Sequence, residues 1–143
     1  MANEKAARTL GVALVVDDDR EHRDIVAQAV LEAGWEVRTA TDGEAALASL
    51  ESAPRPTLVL LDMLMPRMDG AEVLARLRDH PDREIARVPV VIMTGMPHHA
   101  RALLLPYTAD GMLVKPFALK DLRATLSYFS SGPDREPGPS RQS

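Results

Sequence analysis

The sequence predicts an α/β protein built on a doubly wound parallel sheet, and three observations predict it. Short apolar runs alternate with helical periodicities five times along the chain. Most of these runs are apolar at every position, as strands covered on both faces are. Several of them stop abruptly on a polar or charged side chain, the kind that gathers in the crevice at the carboxyl ends of parallel strands.

The first strand is Val12-Ala13-Leu14-Val15-Val16, ending in Asp17-Asp18-Asp19. From Arg20 to Ala33, Ile25, Val26, Ala29, Val30 and Ala33 recur at helical spacing; Asp19 is the expected N-cap and Gly34 the stop. Trp35 to Thr39 alternates apolar and polar, which suits an edge strand with one wet face. Thr41-Asp42-Gly43 then turns into a second helix carrying Ala45, Ala46, Leu47 and Leu50, stopped by Pro54 and Pro56. The third strand, Thr57-Leu58-Val59-Leu60-Leu61, ends on Asp62 and is followed by Pro66.

A third helix is expected from Gly70 to His80, with Val73, Leu74 and Leu77 on one face. Val88 to Met93 reads as the fourth strand and leads into Thr94-Gly95, with Pro89 near its start. Ala100 to Leu105 looks helical, but Pro106 should end it early, so a fourth helix of normal length is not expected. Met112-Leu113-Val114 is the fifth strand, closed by Lys115-Pro116, and Leu119, Leu122, Leu126 and Phe129 line a last helix.

This pattern defines a flavodoxin-like (βα)5 fold, a parallel five-stranded sheet of order 2-1-3-4-5 with helices on both faces. The half-polar second strand then lies at an edge, and Asp17 and Asp18 face Asp62. Residues 1–9 read as an N-terminal extension, 10–129 as the folded domain, and 130–143, which lack any apolar side chain, as a disordered tail.

At 143 residues the chain is long enough for one domain with a real core. The mild net charge of −4, without a Lys/Arg block, argues against nucleic acid as a partner. With no cysteine, disulfides, thiolate metal sites and cysteine nucleophiles are excluded. No apolar run reaches the length of a membrane span or a signal peptide, so no membrane partner is expected and a cytoplasmic location is.

Three carboxylates at neighbouring strand ends repel one another unless a cation neutralises them. Magnesium suits such a site, because it takes one or two carboxylates together with water and a phosphoryl oxygen. Thr94 adds a hydroxyl and Lys115 a fixed positive charge. Together these groups would hold the oxygens of a phosphoryl group bonded to Asp62, which then acts as a nucleophile and becomes an acyl phosphate. By contrast, Asp69-Gly70 reads as a helix cap and tight turn, His98-His99 as exposed loop residues, and Met63, Met65, Met68, Met93 and Met96 as adaptable packing around the site.

The combination Val15-Val16-Asp17-Asp18, Leu60-Leu61-Asp62, Pro66, Met68-Asp69-Gly70, Met93-Thr94-Gly95 and Lys115-Pro116-Phe117 resembles the receiver domain of two-component response regulators over about residues 10 to 129. The resemblance implies that Asp62 accepts phosphate from a sensor histidine kinase or histidine phosphotransfer protein. It also implies direct magnesium ligation by Asp18, Asp62 and the Leu64 backbone carbonyl, with Asp17 acting through water.

Two departures from the family stand out. Where the family has Tyr or Phe on the fifth strand, a ring that reports phosphorylation, this chain has Met112. The expected switch therefore runs from Thr94 through repacking at Met112 and a mobile segment 96–110. Leu64 and Met96 occupy positions where polar residues speed phosphate loss in the family, so slow self-dephosphorylation is expected. No output domain is evident after Phe129, which suggests a stand-alone receiver acting on an unidentified downstream protein or passing its phosphate onward. The alternatives are a receiver-like scaffold that no longer uses phosphate, and a metal-dependent phosphohydrolase. The latter wants an acid where Leu64 stands, so the chain is expected to be a phosphoacceptor and not an enzyme.

Overall fold

The structure, a computed structural model, describes residues 9–130. The expected N-terminal extension and C-terminal tail lie outside the described residues, apart from Thr9 and Ser130. Five parallel strands, β1 (Val12–Val16), β2 (Glu36–Ala40), β3 (Leu58–Asp62), β4 (Val90–Thr94) and β5 (Gly111–Val114), form one sheet in the order β2-β1-β3-β4-β5. This is the order the sequence predicts.

Side chains of a strand alternate between its faces, so each inner strand feeds two cores. Leu14, Val16, Val59, Leu61 and Ile92 point to one side, where they meet Ala46 and Leu50 of α2 (Gly43–Leu50), Val73, Leu74 and Leu77 of α3 (Gly70–Arg78), and Ala100 and Leu104 of a helix at Pro97–Leu104. Ala13, Val15, Leu58, Leu60, Val91 and Met93 point to the other. There they pack on Val26, Ala29 and Val30 of α1 (Arg20–Glu32) and on Leu122, Leu126 and Phe129 of a final helix at Leu119–Phe129. This two-sided burial is why β1, β3 and β4 are apolar throughout. In β2 only Ala40 is fully buried, as suits a sheet edge.

Aspartates start the first three helices. Asp19 accepts the Glu21 and His22 amides, Asp42 the Ala45 amide and Asp69 the Glu72 amide, each satisfying donors that have no partner within the helix. Gly34 closes α1 at φ +102°, a left-handed conformation that costs glycine little.

Several elements differ from the sequence reading. A four-residue helix, α4 (Arg83–Ala86), capped by Asp82 and pinned by buried Ile85, follows α3. The helix after β4, α5 (Pro97–Leu104), begins three residues earlier than expected because Pro97 is well placed in a first turn, and it ends before Pro106. His98 and His99 are exposed, but on this helix and not in a loop. In α6 (Leu119–Phe129) Leu119 is exposed, and so is Ile25 in α1: both lie at the margin of the buried stripe, where their neighbours already cover the sheet.

The segment between α5 and β5 is tied to the end of α3. Tyr107 donates its hydroxyl hydrogen to the Asp79 carboxylate at 2.7 Å. Arg78 donates to the Ala86 and Val88 carbonyls and, at 2.8 Å, to Asp110, whose carboxylate also accepts the Val90 amide.

Candidate functional site

The register brings the predicted polar residues to one edge of the sheet. Val16 pairs with Leu61, so Asp17 and Asp62, one residue further on, end level with each other. Asp62 pairs with Met93, so Thr94 lies one step beyond it on β4, and Thr94 pairs with Val114, which puts Lys115 next in line. Carboxylate oxygens of Asp17, Asp18 and Asp62 lie within 4.8 Å of one another.

The three carboxylates are not equivalent. Asp18 is exposed, whereas Asp17 and Asp62 are buried. Lys115 Nζ donates to Asp62 Oδ1 at 2.7 Å. Burial pushes the Asp62 carboxyl above the ordinary carboxylate range; the Lys115 hydrogen bond pulls it down, and the charges of Asp17 and Asp18 push it up again. Asp17 is fully enclosed: Oδ1 accepts the Asp19 amide at 2.9 Å, Oδ2 meets His22 Nδ1, and its backbone carbonyl accepts the Arg23 guanidinium at 2.9 Å.

Thr94 is buried at the end of β4, and its Oγ1 accepts the Met96 amide at 3.0 Å. The Thr94 carbonyl accepts the Lys115 amide at 2.7 Å, which couples the two strand ends directly. Met112 is half-buried and packs on the cluster that contains Ala100 and Leu104 of α5. Leu64 stands two residues beyond Asp62 in the loop before α3. Met63, Met65, Met68 and Met93 are buried as expected, but Met96 is exposed.

Two features were not read from the sequence. Gly70 is needed less for a turn than for a close approach: a Cβ there would lie 2.7 Å from the Asp62 carbonyl oxygen. The Gly70 amide also donates to the Met63 carbonyl at 2.8 Å, holding the loop of Asp62 against α3. The other is His22. Its position in the first turn of a helix that starts just after Asp17 was the available signal, since such a turn folds back over the strand end.

The donor set fits a hard divalent cation. All the grouped ligands are carboxylate oxygens, which is what magnesium takes, and the burial that chiefly raises the Asp62 carboxyl, together with the repulsion from Asp17 and Asp18, is what a bound cation would offset.

Fold and acidic strand ends together are those of a receiver module of two-component signalling. The chain belongs to the response regulator receiver domain family, whose model matches residues 13–127. It is 40% identical over 114 residues to the response regulator MprA of Mycolicibacterium vanbaalenii, covering 79% of this chain and 47% of that protein. It is 39% identical over 114 residues to the probable transcriptional regulator ycf27 of Cyanophora paradoxa, with 79% and 45% covered. The chain thus spans about half the length of these curated relatives. Among solved structures, the chemotaxis response regulator CheY4 of Vibrio cholerae superposes with a TM-score of 0.71 at 32% identity, covering 83% of this chain and 98% of that one. Receiver domains are phosphoacceptors modified on aspartate, with magnesium bound in an acidic site, and this chain carries such an acidic group. Among the described residues no helix is long and apolar enough to cross a membrane.

Proposed function

We propose that Asp62 is the phosphoacceptor of this receiver. The observation that carries the reading is the pairing of a buried, strand-end carboxylate with the Lys115 ammonium beside two further carboxylates. Asp18, Asp62 and the Leu64 carbonyl would hold magnesium, with Asp17 acting through water, its own oxygens already engaged by Asp19 and His22. The ion supplies charge neutralisation among the carboxylates and the incoming phosphoryl oxygens.

An Asp62 oxygen attacks the phosphorus of a phosphohistidine on a histidine kinase or phosphotransfer protein; the P–N bond breaks and the imidazole leaves with its electron pair. Lys115 then holds a phosphoryl oxygen in the place where it now holds Asp62 Oδ1. The Thr94 hydroxyl, whose oxygen now accepts the Met96 amide, turns to donate its hydrogen to another phosphoryl oxygen. That turn frees the start of α5, and Met112 repacks behind it. Residues 10–129 are the receiver, acting in the cytoplasm, and its output is contact with a downstream protein or onward relay of the phosphate.

Intact mass after incubation with magnesium and acetyl phosphate tests the reading, with Asp62→Ala as control. A stable adduct of one phosphoryl group that is lost in the variant supports it. Absence of an adduct indicates a phosphate-independent scaffold, and continuous turnover of the donor indicates a hydrolase.

A further inference from the structure

We propose that His22 is a positioning residue of the acidic site, a strut that fixes the Asp17 carboxylate for the metal and ties it to the loop carrying Lys115. The inference rests on the magnesium reading above and adds to it a residue whose side chain belongs to neither the carboxylate set nor the phosphoryl-holding groups.

Asp17 is 0% exposed, and a carboxylate removed from water to that extent needs a partner on each oxygen. The Asp19 amide serves Oδ1, and His22 Nδ1 serves Oδ2. A carboxylate only accepts, so Nδ1 carries the hydrogen and the ring's role here is that of a donor. The same ring meets Phe117 edge-on, with centroids 5.7 Å apart and planes inclined by 70°. Phe117 lies two residues past Lys115, whose ammonium reaches Asp62. One imidazole therefore spans from the end of β1 to the loop after β5, the two flanks between which Asp62 lies.

The first turn of α1 is built to place that ring. Asp19 accepts the His22 amide, and the neighbouring Arg23 donates to the Asp17 carbonyl at 2.9 Å, so adjacent residues of one helical turn hold Asp17 by backbone and by side chain. With both oxygens engaged inside the chain, Asp17 has its orientation before an ion arrives. Outer partners of this kind set metal affinity by fixing the groups that face the ion.

Calorimetric titration of the full chain with magnesium chloride at one fixed pH tests the proposal. His22→Phe keeps a ring against Phe117 and deletes the donor; His22→Asn keeps a donor at the δ position. Magnesium affinity is expected to fall about ten-fold in His22→Phe and to recover most of that loss in His22→Asn. Phe117→Leu, which loosens the strut without touching the donor, is expected to weaken binding less, in the same direction. A purely structural role would lower the metal-free melting temperature of His22→Phe while leaving the rise on adding magnesium intact. That result overturns the proposal, as does an affinity loss equal in Phe and Asn, or one below about two-fold in both His22→Phe and Phe117→Leu. Should the unaltered chain bind no magnesium, or Asp62→Asn bind it undiminished, the magnesium reading itself fails and the proposal with it.

Discussion

The Lys115 ammonium donates to Asp62 Oδ1 at 2.7 Å across the end of β4, a direct link from the end of the fifth strand to the end of the third. Asp62 is nearly enclosed, whereas Lys115 keeps about a third of its side chain in water. Removing the lysine therefore strands a buried charge, which costs more than losing an exposed pair. Lys115→Met should destabilise the metal-free protein by about 2 kcal/mol at neutral pH in chemical denaturation. The sign with pH follows from the raised Asp62 carboxyl: the folded state holds that proton more tightly than the unfolded chain, so stability rises as pH falls through the raised value. The deficit of Lys115→Met should accordingly shrink on acidification, and Asp62→Asn in the same chain should remove most of it.

Asp18 contributes the opposite effect. It is exposed, and its carboxylate lies within the same 4.8 Å group as those of Asp17 and Asp62. Like charges at such a separation cost about 1 kcal/mol where water screens them. Asp18→Asn should raise metal-free stability by about that amount and lose the stabilisation that magnesium confers. Paired melting curves check both, and a less stable metal-free variant contradicts the clustering.

Tyr107 provides a pH reporter away from the site. Its hydrogen bond to Asp79 holds the phenol above its ordinary value of 10.0, with burial and the aspartate charge adding to the shift. The bond's contribution to stability is present below that ordinary value and is lost as pH rises through the higher folded one. Spectrophotometric titration of tyrosinate should show a late-ionising phase that is absent in Tyr107→Phe.

That tether also shapes the expected switch. The segment 96–110 holds α5 at its start and is fixed at its end by Tyr107–Asp79 and Arg78–Asp110, so freedom gained at Thr94 should appear mainly at α5. Amide exchange should rise in Met96 to Leu104 when beryllium fluoride mimics the phosphoryl group, and it should change around Met112. An unchanged profile over 96–114 contradicts the proposed route.

Most of the fold was legible because β1, β3 and β4 carry their two-sided burial openly, as unbroken apolar runs, and because Asp19, Asp42 and Asp69 mark helix starts. The polar residues gathered at the sheet edge were legible for a related reason: they sit where those runs stop. What remained hidden depends on directions that periodicity does not encode. His22 meets Asp17 only because α1 leaves the strand at a particular angle, and Gly70 is explained by how close α3 comes to Asp62. The pairs Arg78–Asp110 and Tyr107–Asp79 join residues 32 and 28 positions apart, and α4 is too short to show a helical period.

The lifetime of the phosphorylated state follows from Leu64 and Met96, two residues beyond Asp62 and Thr94 respectively. Both residues are exposed, by 64% and 56%, and stand outside the core. Hydrolysis requires a water aligned with the phosphorus and a group to orient or deprotonate it. Neither an isobutyl group nor a thioether can do this, and both displace water from the approach. Self-dephosphorylation, followed by loss of the mass adduct after the donor is removed, should therefore take minutes or longer, and decay within seconds contradicts the shielding. Placing an amide at position 64 or a carboxylate at position 96, by Leu64→Asn or Met96→Glu, should shorten the lifetime by about ten-fold or more.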